Sequence, residues 1–112
     1  MSSRCVHVDI DLNVPTEEWL RHCEGAVEAI RALPGLEWKV WLADADSRTA
    51  GGVYLFRDAA SAEAYVSGPV IAHLRTLPLV RAVRVRISAV ADDLSRRTRG
   101  VRASSSATAA GA

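Results

Sequence analysis

Leu36-Glu37-Trp38-Lys39-Val40-Trp41-Leu42 is followed by the polar run Asp44-Ala45-Asp46-Ser47-Arg48, and then by Gly51-Gly52-Val53-Tyr54-Leu55-Phe56. In the first block Leu36, Trp38, Val40 and Leu42 share one face, and Glu37, Lys39 and Trp41 share the other. This is the period-two signature of a strand. The second block is rich in β-branched and aromatic residues and is entered through two glycines. A short polar connection between two such runs predicts an antiparallel hairpin at the centre of the chain.

Upstream, Val6, Val8, Ile10 and Leu12 alternate with His7, Asp9 and Asp11, which predicts a first strand. Asn13, Pro15 and Thr16 stop it. Thr16 is a candidate helix cap, with Glu17 and Glu18 well placed at the positive end of the helix dipole. Trp19, Leu20, Cys23, Val27 and Ile30 then recur at three- and four-residue spacings, as on one helix of about four turns. Pro34-Gly35 ends that helix before the hairpin. Downstream, Asp58 is a candidate N-cap for a helix burying Ala62, Tyr65 and Val66. Gly68-Pro69 breaks it, and a short helix over 70–77 is expected after Pro69. A fourth strand over 79–90 places Val83, Val85, Ile87 and Ala89 opposite Arg84, Arg86 and Ser88.

The order strand-helix-strand-strand-helix-strand predicts an α+β fold of the ferredoxin-like type. It has a four-stranded antiparallel sheet with both helices on one face. Residues 1–92 form this domain, and residues 93–112 read as a polar, low-complexity tail. The sheet face away from the helices is expected to carry His7, Asp9, Asp11, Trp41, Tyr54, Phe56, Arg84 and Arg86. Trp41, Tyr54 and Phe56 would leave an apolar patch there. A homodimer stacked sheet on sheet would cover it.

The chain has 112 residues with a formal net charge of +1, and Lys39 is its only lysine. That charge gives no field for nucleic acid or an acidic membrane, and no apolar run reaches the length of a membrane span. The amino-terminal segment lacks the apolar core of a secretory signal. A cytoplasmic protein is therefore expected, with Cys5 and Cys23 reduced and packed as small apolar residues.

Pro34-Gly35-Leu36, Trp38-Lys39-Val40-Trp41, Ala50-Gly51-Gly52-Val53-Tyr54-Leu55-Phe56, Asp58 and Ser61-Ala62-x-Ala64-Tyr65 follow one another at a spacing that resembles the YdhR-type monooxygenase family. The resemblance runs from the first strand to the end of the fourth. It implies a dimeric α/β barrel and, less directly, oxygenase chemistry, because fold does not by itself fix function.

An oxygenase without a cofactor must form an electron-rich substrate anion in a dry pocket. It needs a proton acceptor, and donors for the oxyanion. Trp38, Trp41, Tyr54, Tyr65 and Arg84 are the expected ligand-binding residues, and His7 and His73 are the candidate bases. His22 is expected on the solvated side of its helix. No metal site is expected, since Cys5-x-His7 lacks a second ligand pair at zinc spacing. Gly51-Gly52 opens a strand, so it is not a phosphate cradle; it lets the chain bend or another backbone approach. The leading reading is a cofactor-independent monooxygenase acting on a phenolic or polyketide-like aromatic. The alternatives are a non-catalytic dimer that binds a small ligand, and a haem-binding or haem-degrading protein with His73 as the axial ligand. The residues leave open whether the pocket lies within a protomer or between two.

Overall fold

A computed structural model describes residues 2–102. Its elements are β1 (Arg4–Leu12), α1 (Thr16–Glu24), α2 (Val27–Arg31), β2 (Leu36–Asp44), β3 (Thr49–Phe56), α3 (Ala59–Val66), α4 (Pro69–Leu74), β4 (Val80–Ala89) and α5 (Asp92–Arg97). The sheet is antiparallel throughout, in the order β2-β3-β1-β4. This is the expected ferredoxin-like topology. No helix among the described residues is long and apolar enough to cross a membrane.

Val6, Val8, Ile10 and Leu12 of β1 are buried and point to the helices. Directly opposite residues of an antiparallel pair share a face, so the register carries this face outward across the sheet. Val6 pairs with Tyr54 and Ile87, Val8 with Gly52 and Val85, and Ile10 with Ala50 and Val83. Trp19, Cys23, Ile30, Ala62, Tyr65 and Ile71 close the core from the helices. Asp58 caps α3 as expected, its Oδ1 accepting from the Ser61 amide at 2.8 Å.

Three expectations are corrected. First, the faces of β2 and β3 are the reverse of those read from the sequence. Tyr54 and Phe56 are buried against the helices, and Trp41 packs against that core. Trp38, Val40, Leu42, Val53 and Leu55 take the open face instead. For β2 the reason is an irregularity in the strand. Leu36 pairs with Phe56 but Trp38 pairs with Leu55, so the register slips between them and every later side chain changes sides. Second, the long first helix is two. It breaks at Gly25, and of the expected stripe Leu20 and Val27 remain exposed. Thr16 is the first helical residue and not a cap; Pro15 takes the cap position with no side-chain bond. Third, residues 93–102, assigned to the tail on composition, are ordered on the sheet. Asp92 accepts from the Ser3 amide at 3.1 Å, and Trp38 Nε1 donates to the Gly100 carbonyl at 3.1 Å. Residues 103–112 lie outside the described residues.

Gly51 sits at φ +145, and a Cβ there would overlap the Val8 carbonyl of β1. Backbone approach is thus its role. Gly51→Ala should cost at least about 2 kcal/mol, through left-handed strain and steric displacement of β1. Urea unfolding followed by far-UV circular dichroism measures it.

Candidate active site

Between the helix-facing side of the sheet and helices α1, α3 and α4 lies a cavity of about 110 Å³. Val8, Ile10, Gly51 and Tyr54 form its sheet side. Trp19 and Cys23 come from α1, Tyr65 from α3, and Val70 and Leu74 from α4. The exposed rings of His22 and His73 complete the lining toward solvent. The residues lining this cavity all belong to a single chain.

Lys39 projects into this cavity from β2, opposite Tyr54. Its Nζ lies 3.3 Å from the centroid of the Trp41 ring and 4.5 Å from that of Tyr54, a cation–π arrangement with both. Gly52 makes this possible, because a Cβ there would sit 2.6 Å from Lys39 Cε. None of the ion pairs among the described residues involves Lys39. Desolvation of the ammonium consequently lowers the Lys39 pKa to about 8, against a small opposing effect of Cys23. Burial raises the Cys23 thiol, with Lys39 pulling the other way.

Beneath the lysine, the Tyr65 hydroxyl donates to the Tyr54 hydroxyl at 2.6 Å in a buried pair. Their rings tilt at 41° with centroids 4.8 Å apart, and Phe56 packs on both. Burial first, and then the neighbouring Tyr65, pushes Tyr54 far above the ordinary tyrosine range. Burial also raises Tyr65, partly offset by its hydrogen bonding with Tyr54. Having accepted from Tyr65, the Tyr54 hydroxyl keeps its own proton for another acceptor.

Of the residues expected at the site, Trp41, Tyr54, Tyr65 and His73 converge on the cavity. Trp38, His7 and Arg84 do not. Trp38 lies on the open face, bonded to Gly100. His7 is on the same face, with Nε2 3.5 Å from Asp9 Oδ1 and Nδ1 3.4 Å from Arg86. Arg84 makes a bidentate pair with Asp11, both contacts at 3.1 Å, which holds the Asp11 carboxyl below its usual range. The sequence reading missed Trp19, His22, Cys23 and Lys39. His22, expected on the solvated side, stacks on Trp19 with centroids 5.4 Å apart. The signal for Lys39 was present: a sole lysine beside two tryptophans, paired across the hairpin with a Gly-Gly strand. Among the described residues no three His, Cys, Asp or Glu side chains converge as a metal site requires.

No curated protein matches the chain in sequence. Among solved structures it is similar to NE2512, a protein of unknown function from Nitrosomonas europaea, with a TM-score of 0.67 and 18% identity over 81% of this chain and 91% of that one. It is also similar to the ActVA-Orf6 monooxygenase of Streptomyces coelicolor, solved in complex with nanaomycin D. There the TM-score is 0.62 and the identity 17%, over 80% and 88% of the two chains. A dabb family protein with a ferredoxin-like fold from Mesorhizobium loti gives a TM-score of 0.60 and 19% identity, over 79% and 96%. At such identities the likeness is one of fold. The family profile described as "Putative mono-oxygenase ydhR" matches residues 5–101, from β1 through α5. With that match spanning every strand and helix of the domain, the chain belongs to the YdhR mono-oxygenase family.

Proposed function

We propose that the protein is a cofactor-independent monooxygenase that oxidises a small phenol to a quinone within the cavity of each protomer. The observation that carries this reading is the unpaired, desolvated Lys39 amine between aromatic walls. A phenol plus dioxygen gives a quinone plus water, so one oxygen atom enters the ring and the substrate supplies all four electrons. Neutral Lys39 takes the phenolic proton. The ammonium so formed, with the free Tyr54 proton, holds the phenolate oxygen. The electron-rich ring passes an electron to dioxygen, and the two radicals join at a ring carbon. The hydroperoxide then loses water. Trp41 and Tyr54 line the cavity beside the amine, and the largely apolar lining disfavours water around the intermediates.

The size of the cavity favours a single ring. An apolar cavity of roughly 150 Å³ accommodates benzene, comparable to the 110 Å³ here. Larger substrates would project past His22 and His73. A cavity of this size argues for a ligand smaller than haem, since pockets for drug-sized ligands already span about 300 Å³ or more. His73 on its exposed helix therefore belongs to the cavity mouth in this reading.

The protomer works as a two-fold dimer with the open faces stacked. Val40 and Leu42 are 50% and 40% exposed there. Asp9, Asp11, Arg84 and Arg86 flank them with mixed charge, which a two-fold axis can pair with itself. Free Cys5 and Cys23 suit the reducing cytoplasm.

Three outcomes are expected. Oxygen uptake with simple phenols should be lost by about a hundredfold or more in Lys39→Met. In the wild type kcat/KM should rise with pH through about 8, where Lys39 becomes neutral; Cys23 and His22 of α1, His73 of α4, Tyr54 and Tyr65 are the titratable groups facing it. Phenol binding without oxygen uptake would instead identify a binding module. Independently of turnover, Lys39 binds a proton in the unfolded chain up to its usual 10.5 but loses it near 8 when folded. The stability of the wild type relative to Lys39→Met should therefore rise by about 2 kcal/mol between pH 8 and about 10, a comparison that cancels the opposing ionisation of Cys5 and Cys23, whose thiols burial raises. Finally, Val40→Asp should convert a dimer into a monomer by light scattering; a monomeric wild type would sink the dimer.

A further inference from the structure

A primary amine held in an apolar cavity without a carboxylate partner is equipped for a second kind of chemistry. Lys39 is the only lysine of the chain. Its stem lies over Gly52, its Nζ sits over the Trp41 and Tyr54 rings, and it makes no ion pair among the described residues. Tyr54, whose hydroxyl is hydrogen-bonded to that of Tyr65, lines the same cavity. We propose that Lys39 is a carbonyl-capturing nucleophile, which condenses with the aldehyde or ketone group of a one-ring aromatic compound to form a Schiff base.

The step balances without an oxidant or reductant. The amine nitrogen adds to the carbonyl carbon, and the Tyr54 hydroxyl donates to the oxygen as it becomes an alkoxide. Both amine hydrogens then leave with that oxygen as water, and a carbon–nitrogen double bond remains. An amine is nucleophilic only when unprotonated, and desolvation keeps a usable fraction of Lys39 in that form near neutral pH. The largely apolar lining beside the amine disfavours hydrolysis of the imine. Trp41 and Tyr54 flank the amine and, with the apolar lining, favour an aromatic group next to the carbonyl. Once protonated, the imine withdraws electrons from the adjoining carbon, which suits proton abstraction or decarboxylation beside the carbonyl. This inference uses the cavity of the proposed oxygenase but not its reaction with dioxygen.

The test is reductive trapping of the full chain under oxygen-free conditions at neutral pH. 4-Hydroxybenzaldehyde is the probe and cyanoborohydride the reductant, read by intact mass and peptide mapping. The expected result is one benzylic adduct on Lys39, formed at least about tenfold faster in the folded protein than in the same protein unfolded in urea. It should be absent in Lys39→Arg, which keeps the charge and removes the nucleophile. Equal rates in folded and unfolded protein, or an adduct only at the amino terminus, would overturn the proposal; that comparison needs no variant to fold. Aldehyde capture without oxygen uptake on any phenol would remove the oxygenase reading alone. Oxygen uptake without capture would remove this one alone.

Discussion

The close approach of three backbones at Gly51 and Gly52 is the constraint on which the rest depends. Neither residue has a side chain to hold its neighbours apart. At Gly51 the strand meets the Val8 carbonyl of β1, and at Gly52 the missing Cβ leaves a trough that the Lys39 stem occupies. The same two positions thus hold β3 tight to β1 and let a charged side chain lie over the sheet. Glycine within a strand ordinarily weakens it through lost entropy and lost packing. Here the neighbouring pairs Val6–Tyr54 and Ile10–Ala50 supply the buried contacts that the glycines cannot.

Burying an amine without a counter-charge works against stability, and it violates the usual rule for charged residues. The protein offsets this only in part, through the two aromatic faces beside the amine. Among the described residues no buried side-chain polar atom is left without a partner. The remaining imbalance is concentrated on one atom, Lys39 Nζ, and a departure of that kind is characteristic of functional sites, where chemistry takes precedence over local consistency. Removing a proton from this atom relieves the imbalance, and so does reaction with an acidic or electrophilic ligand.

The two faces of the sheet divide the labour. The helix side holds the cavity. The open side holds the ion pairs of Asp11 with Arg84 and the apolar strip of β2 and β3. The segment after β4 crosses part of that strip, bonding to Trp38 through Gly100, and Leu55 is only 2% exposed despite facing outward. Val40 and Leu42, farther along the same strand, have no such cover within the protomer.

Alternation, helical spacing and the punctuation by Pro, Gly and Asp determined the element order from local patterns alone. With the right-handed crossover rule, that order determined the topology. The family signal in Trp38-Lys39-Val40-Trp41 and the glycine strand was equally local. Which side of the hairpin faces the helices was not determined, because both faces of β3 are apolar and period two then has no preferred phase. The pairing of β3 with β1 decided it for Tyr54 and Phe56, and the register slip between Leu36 and Trp38 set β2 to match. That single irregularity turned Lys39 and Trp41 inward and Trp38 outward, and no pattern along the strand encodes it. The cavity needed α1, α3 and α4 to bring Trp19, Tyr65 and His73 to the same place, and the partnerless state of Lys39 needed every neighbour to be known. Both are properties of the packed chain: sequence spacing records what a residue follows, whereas the electrostatics of a buried amine depend on what surrounds it.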